Sequence, residues 1–397
     1  MLFKAKVLYR GQEQIWEYGT NSNSVTDCWG IRRNPKGSEN VVGPQEDIFS
    51  ISVFLGYNCN LNCTYCYQKE YHNDRNKVIG GIHMVPQFFE RFKAMKLEKV
   101  NHITFWGGEP LVFWKTILEM VPRFEEIYPD VRFSMITNGT LLTEDKIDFM
   151  KAHRFSLNVS CDGFPDERGY DLLLLKGPEL KYLMEQLGDR VTFQATVGKG
   201  REDVTPALNR FRKMLGDKVR VSFGHPVRAT SAKDPANEQC LTEWKPYAES
   251  IYKNWLEHPE NVVIPKVDDL KRRHLYRIQQ DPSTGMCGAS QGTSLSLGLD
   301  GNTYSCHAGS GTPTGTLEDY QNRSFKEFLH PDFINWHCKA CPVRVACHSG
   351  CPITDKDGFK ASCTGWYGLA MGKYKAVWKE LFDVELVEFF EEKKESK

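Results

Sequence analysis

No stretch of about 18 uncharged apolar residues occurs anywhere in these 397 residues, so no membrane-spanning helix is expected. The start, Met1 to Arg10, lacks the apolar core of a signal peptide, and a cytoplasmic protein is expected. A net charge is missing as well: 51 Lys plus Arg face 51 Asp plus Glu, with no basic run. That balance argues against a polyanionic partner such as nucleic acid. What the chain does have is 13 cysteines, with plentiful aromatics and 32 glycines. In a cytoplasmic protein, cysteines at this frequency point to metal binding or redox chemistry rather than a disulfide framework. The length suits two or three domains, on the soft rule of roughly one per 150 residues.

Three of the cysteines stand together as Cys59-x3-Cys63-x2-Cys66, just after a strand-like run at 48–55. A fourth ligand is lacking close behind them, His72 being the nearest candidate. Three thiolates with one open position make a metal site that does chemistry, whereas closed four-ligand sites are usually structural.

Around this motif the chain alternates. Strands are expected at 48–55, 102–106, 132–137, 156–160, 191–196 and 219–224, and helices at 85–97, 114–127, 143–153, 178–187 and 203–215. Thr143 is placed to cap the third helix, with Glu144 and Asp145 in its first turn. Such alternation gives a parallel sheet with right-handed crossovers, and six units fit a partial, open barrel. Sites in parallel α/β folds lie at the carboxyl ends of the strands, where the cysteine loop falls. Residues 1–47 hold two short strand-like pieces, at 3–9 and 14–18, and read as an N-terminal extension. The expected division continues with the partial barrel at 48–240, its last residues 225–240 an irregular loop. A helical bridge follows at 241–286, then a cysteine-rich domain at 287–375, and a C-terminal helix and tail at 376–397, the helix running from about 367 to 390. Cys28, without a neighbour, reads as a spare cysteine.

The cysteine triad, with Tyr65 before its last member, resembles the cluster motif of the radical S-adenosylmethionine (radical SAM) enzymes. The resemblance implies a partial (β/α)6 TIM-like barrel. In it Cys59, Cys63 and Cys66 would hold a [4Fe–4S] cluster whose open iron is chelated by S-adenosylmethionine. Reductive cleavage then yields a 5′-deoxyadenosyl radical that abstracts hydrogen from the substrate. Gly107-Gly108-Glu109-Pro110, at the end of the second strand, resembles the family's element for the methionine amino group. Two glycines there would let a ligand approach the backbone closely. Further carry-overs are Asn138 after the third strand, Ser160 of Ser160-Cys161-Asp162-Gly163 for the nucleoside, and Arg168 for the methionine carboxylate. Asn138 reads equally as a turn former, Asp162 is read as one, and Cys161 as a small core side chain.

The C-terminal cysteines, Cys287-x13-Gly301-x4-Cys306, then Cys338-x2-Cys341-x5-Cys347-x3-Cys351, then Cys363, resemble a SPASM domain with two auxiliary [4Fe–4S] clusters. By that pattern Cys338, Cys341, Cys347 and Cys363 close one cluster, and Cys287, Cys306 and Cys351 hold the other. No cysteine between Gly288 and Ser305 completes the latter set, which leaves it an open iron. Zinc remains an alternative on this segment alone, with His307, His337 and His348 as supplementary ligands.

SPASM-bearing relatives imply an oxidoreductase that crosslinks or oxidises a ribosomally made peptide or small protein, supplied with electrons by a donor such as a flavodoxin or ferredoxin. Anaerobic sulfatase maturation is a specific version. There an Asp beside the cysteine equivalent to Cys306 acts as base; here the neighbour is His307, which can also take a proton. A radical SAM enzyme for a small metabolite and a zinc-binding adaptor are the alternatives.

Overall fold

The computed structural model describes residues 2–20, 22–33, 50–66, 68, 81–165, 167–229, 231, 233–265, 267–276, 294–304, 315–317, 338, 340–347 and 354–390. Cys287, Cys306, His307 and Cys351 lie outside them.

Strands β1 (Leu2–Tyr9) and β2 (Gln12–Gly19) form a hairpin. Its two-residue turn, Arg10-Gly11, has both φ angles positive, at 52° and 77°, as the twist of a tight hairpin requires. Short strands β3 (Ser24–Thr26) and β4 (Arg32–Arg33) extend this sheet.

The main sheet is parallel from β5 (Ser50–Phe54) through β6 (His102–Trp106), β7 (Arg132–Thr137), β8 (Phe155–Ser160), β9 (Val191–Val197) and β10 (Val221–Pro226). These are the six expected strands, shifted by at most a few residues at their ends. Between them run α1 (Val85–Ala94), α2 (Trp114–Ile127), α3 (Glu144–Ala152), α4 (Leu172–Leu175), α5 (Gly177–Leu187) and α6 (Thr205–Leu215). Alternate strand residues such as Ile103, Phe105, Phe133 and Leu157 are fully buried against helix residues such as Phe88, Phe124, Ile147 and Phe211. Each such aromatic, truncated to alanine, costs about 3–5 kcal/mol. The opposite strand face is polar. Ser296, Ser52, Thr104, Ser134 and Ser156 stand in register across five strands, and Ser134 Oγ bonds both His102 Nε2 and Thr104 Oγ1 at 2.8 Å. Thr143 precedes α3 in extended backbone, but its side chain makes no capping bond, contrary to expectation.

After α7 (Lys245–Glu257), β11 (Val262–Val263) adds to the β10 edge, and α8 (Val267–Tyr276) follows. At the other edge β12 (Ser294–Gly298) pairs parallel with β5, and β13 (Asn302–Tyr304) and β14 (Gly315–Thr316) continue antiparallel. The barrel and part of the cysteine-rich region therefore share one ten-stranded sheet. Residues 225–240 are less loose than expected: Val227, Ala229, Ala236 and Cys240 form a small buried cluster.

The chain then forms α9 (Arg344–Cys347), α10 (Lys356–Phe382) and β15 (Glu385–Phe390). A helix continuing to 390 is thus corrected. Asp383 adopts a left-handed conformation, φ 58°, that stops α10. The three-residue spacing of buried Leu386 and Phe389 looks helical but comes from a bulge, since Val387 is the unpaired residue against Lys6 and Val7 of β1. The N-terminal hairpin is not a loose extension either. It pairs with β15 and buries Trp16 and Tyr18 against Tyr374 and Trp378 of α10. Among the described residues no helix is long and apolar enough to cross a membrane.

Glycines bring α10 close to the barrel. A Cβ at Gly365 would lie 2.6 Å from Pro226 Cβ, and one at Gly368 would lie 2.9 Å from Tyr247 Cδ1. In this way Trp366 reaches the mouth of the barrel.

Candidate functional site

The loop after β5 carries Cys59, Cys63 and Cys66, and it is docked onto the end of β6. Gly108 N–H donates to Gly56 O at 2.8 Å, and Glu109 N–H to Asn58 O at 2.9 Å. A Cβ on Gly107 would sit 2.4 Å from Gly56 O, and one on Gly108 would sit 2.3 Å from Tyr57 O. Both glycines line the cavity, but the space a side chain would need is filled by the cysteine loop. The reason for Gly-Gly is therefore loop docking more than the close approach of a ligand.

Glu109 is fully buried and locks this corner. Its Oε1 accepts from Thr137 Oγ1 at 2.6 Å and Leu111 N–H at 2.9 Å, and its Oε2 from Asn138 N–H at 2.6 Å. Burial raises its pKa, and the three donors pull the other way. Pro110 starts a single helical turn, capped by that carboxylate. Asn138 does two jobs. Its Oδ1 accepts from Thr140 N–H at 3.0 Å, a turn-forming bond, while its Nδ2 donates to Asn60 Oδ1 at 2.9 Å and lies 3.9 Å from Cys59 Sγ. Leu61 N–H points at the same sulfur from 3.4 Å.

Asp162 is more than a turn former. Its Oδ1 accepts from Arg168 Nη2 at 3.0 Å and Thr196 N–H at 2.8 Å, and its Oδ2 accepts the Tyr65 hydroxyl. The Arg168 guanidinium also lies 5.5 Å from the centre of the Tyr65 ring. Burial works against the Arg168 charge, but Asp162 and Tyr65 outweigh it and hold its pKa above the usual value. Burial, with Asp162, raises Tyr65. Arg168 Nε is buried and has no hydrogen-bond partner among the described residues. The sequence alone could not tell a hub from a turn in Ser-Cys-Asp-Gly.

These groups enclose a cavity of about 330 Å³. Cys59, Cys63, Cys66, Tyr65, Gly107, Gly108, Glu109, Asn138, Ser160 and Arg168 all line it, so the structure gathers every expected residue of the barrel site except Pro110. Burial pushes Cys59 and Cys63 up, and Cys66 to about 11. Thiolates in such surroundings call for a cationic partner. Among the described residues no three His, Cys, Asp or Glu side chains are grouped to hold a single metal ion. Among the lining residues not foreseen are Gln68, His225 at the end of β10, and Trp366 on α10. The only signal for His225 was its place beyond a strand's carboxyl end.

A second group of thiols lies between α9 and α10. Cys338 and Cys363 pack around Phe359. Burial, then the nearby Cys338 and Cys363, push Cys341 up to about 12; burial, then Cys338, push Cys363 to about 11. Cys347 closes α9, and its N–H donates to Val343 O at 2.9 Å. None of the four is joined in a disulfide among the described residues.

The sequence pattern of the Radical SAM superfamily matches residues 53–214. The serine-type anaerobic sulfatase-maturating enzyme of Klebsiella aerogenes is 24% identical over 343 residues, 79% of this chain and 82% of that protein. The radical SAM cyclopropyl synthase TigE of Paramaledivibacter caminithermalis is 26% identical over 172 residues, covering 40% and 34%. Among solved structures, native anSMEcpe with bound AdoMet superposes with a TM-score of 0.58 at 17% identity, covering 83% of this chain and 96% of the other.

Proposed function

We propose that this chain is a radical SAM enzyme, on the match of its residues 53–214 and its similarity to sulfatase maturases, and that it matures a ribosomally made peptide or small protein. The reaction begins with hydrogen abstraction and ends in a thioether, carbon–carbon or carbon–oxygen crosslink, or in an oxidised residue. The observation that carries this reading is the sharing of one cavity by three thiols and Arg168, with its buried unpartnered Nε.

A radical SAM domain implies a [4Fe–4S] cluster and S-adenosylmethionine, and the residues suit both. Cys59, Cys63 and Cys66 would hold three irons, and the hydrogen-bond donors at Cys59 suit a ligating thiolate. Arg168 offers a carboxylate its buried Nε, with Asp162 keeping the guanidinium in place. The half-exposed backbone of Gly107 and Gly108 offers carbonyls to an ammonium group, and Ser160 a hydroxyl to the nucleoside. When bound, these cofactors supply a carbon radical strong enough to remove hydrogen from an unactivated C–H bond. The chain's own part is to position that bond, exclude water and take up the proton that oxidation releases.

Cys338, Cys341, Cys347 and Cys363 would hold one auxiliary cluster, supported by the mutual influence of three of their thiols. Cys287, Cys306 and Cys351 would hold a second. The peptide substrate is supported by relatives: the Klebsiella aerogenes protein is a sulfatase-maturating enzyme, and anSMEcpe has been seen with bound AdoMet and Cp18Cys peptide. Sulfatase-type oxidation of a client residue is a second reading, favoured by that relative's coverage of 79% of this chain. In it His307 would be a base. A flavodoxin or ferredoxin would supply electrons, in a cytoplasmic setting.

Co-expression with short peptides encoded beside this chain, followed by mass spectrometry, tests the proposal. One peptide should become lighter by two hydrogens. Conversion of a small metabolite with no peptide changed would refute it.

A further inference from the structure

The cavity has a further wall, built from the last two barrel strands and α10. Thr196 reaches it from β9, His225 and Arg228 from the end of β10, and Trp366 from α10. His225 pairs in register with Thr196, which places it on the inner face of the barrel. Its ring opens into the cavity and is exposed there, although protein crowds around the residue on its other sides. The imidazole makes no hydrogen bond with any described residue. An imidazole exposed in this way can bond water or a polar group of a substrate.

The charges around it set its chemistry. Arg228 stands three residues on, and Lys373 approaches from α10; burial first, then these two cations, lower its pKa to about 4. Across the cavity lie Arg168, Glu109, Tyr65 and the three thiols. His225 is therefore neutral near pH 7, with a lone pair to offer. The same two cations that lower its proton affinity stabilise negative charge developing on a group beside it, so their own effects on a proton passed between the two largely cancel.

We infer that His225 is a catalytic residue that accepts the O–H, S–H or N–H hydrogen of the substrate side chain and takes it as a proton, an assignment resting on the peptide-maturing function proposed above. The balance is complete with an oxidised iron–sulfur cluster as electron acceptor. The substrate carbon gives a hydrogen atom to the adenosyl radical, the heteroatom gives a proton to His225, and one electron passes to that cluster. A carbon–heteroatom bond forms, either as a crosslink or as the second bond of a carbonyl.

The test uses reconstituted holoenzyme and the co-expressed peptide that the wild-type chain lightens by two hydrogens. His225→Gln should lower product formed per 5′-deoxyadenosine by about a hundredfold, the scale of general-base catalysis. Its residual product formation should climb with pH as hydroxide substitutes, where wild type is flat between about pH 6 and 8. Calorimetry on unreduced holoenzyme should show weaker peptide binding, and added imidazole should restore product to His225→Gly. An unchanged product ratio in His225→Gln, or no rescue of His225→Gly, overturns the inference alone. A wild-type protein that converts no peptide overturns the function beneath it.

Discussion

Arg168 Nη2 lies 3.0 Å from Asp162 Oδ1, and the same buried carboxylate accepts the hydroxyl of Tyr65, the residue just before Cys66. That carboxylate thus ties the cysteine loop to the end of the fourth barrel strand, and it holds the guanidinium at the cavity wall.

Removing the charge but not the shape should be costly. Asp162→Asn leaves Arg168 buried without its counter-ion, and a loss of about 3–5 kcal/mol is expected. Chemical denaturation followed by circular dichroism measures it. A loss under about 1 kcal/mol would mean that water already screens the pair.

The glycine at 108 should be needed for cluster loading before any ligand binds. Gly108→Ala places a Cβ against Tyr57 O and Asn58 O, so the cysteine loop must shift while the barrel core persists. Iron and sulfide bound to the Cys59, Cys63, Cys66 site should fall in an otherwise folded protein, assayed in a background lacking the C-terminal cysteines. Normal loading would show that the loop adapts freely.

Much of this was legible from the chain. Strand–helix alternation located β5 to β10, and the strand-end motifs gathered into one cavity, because local patterning and strand ends carry that information. What escaped depended on distant partners. β12 finds its place through parallel pairing with β5, and the helix-like spacing of Leu386 and Phe389 arises from a bulge against β1. Asp162 and His225 are single polar residues whose roles depend on neighbours from other strands. Gly107 and Gly108 were singled out for the close approach of a ligand, but what fills the space of a side chain there is backbone.

Acid should loosen the junction between the two chain ends. His274 Nδ1–H donates to Leu270 O at 3.0 Å and its Nε2 accepts from Trp378 Nε1 at 3.2 Å, so the folded state needs the neutral ring. Burial lowers its pKa from 6.5 to about 4. With a depressed folded value, its contribution is present in full above pH 6.5 and drains away as the pH falls toward 4, a total of about 3 kcal/mol. His274→Phe should be less stable at neutral pH but should lose less stability over that window. Parallel pH curves for the two proteins would place the acid sensitivity elsewhere.

The C-terminal thiols should bind iron separately from the barrel site. Cys363→Ser should lower total iron by up to one cluster's worth while leaving the iron bound through Cys59, Cys63 and Cys66. Zinc in place of iron and sulfide after anaerobic reconstitution would instead support a structural zinc site.

The most direct test is the release of 5′-deoxyadenosine from anaerobically reconstituted protein given dithionite and S-adenosylmethionine. Wild type should release it, and the variant with Cys59, Cys63 and Cys66 all changed to alanine should release none. Wild-type protein that carries iron and sulfide yet leaves the cofactor intact would contradict the account.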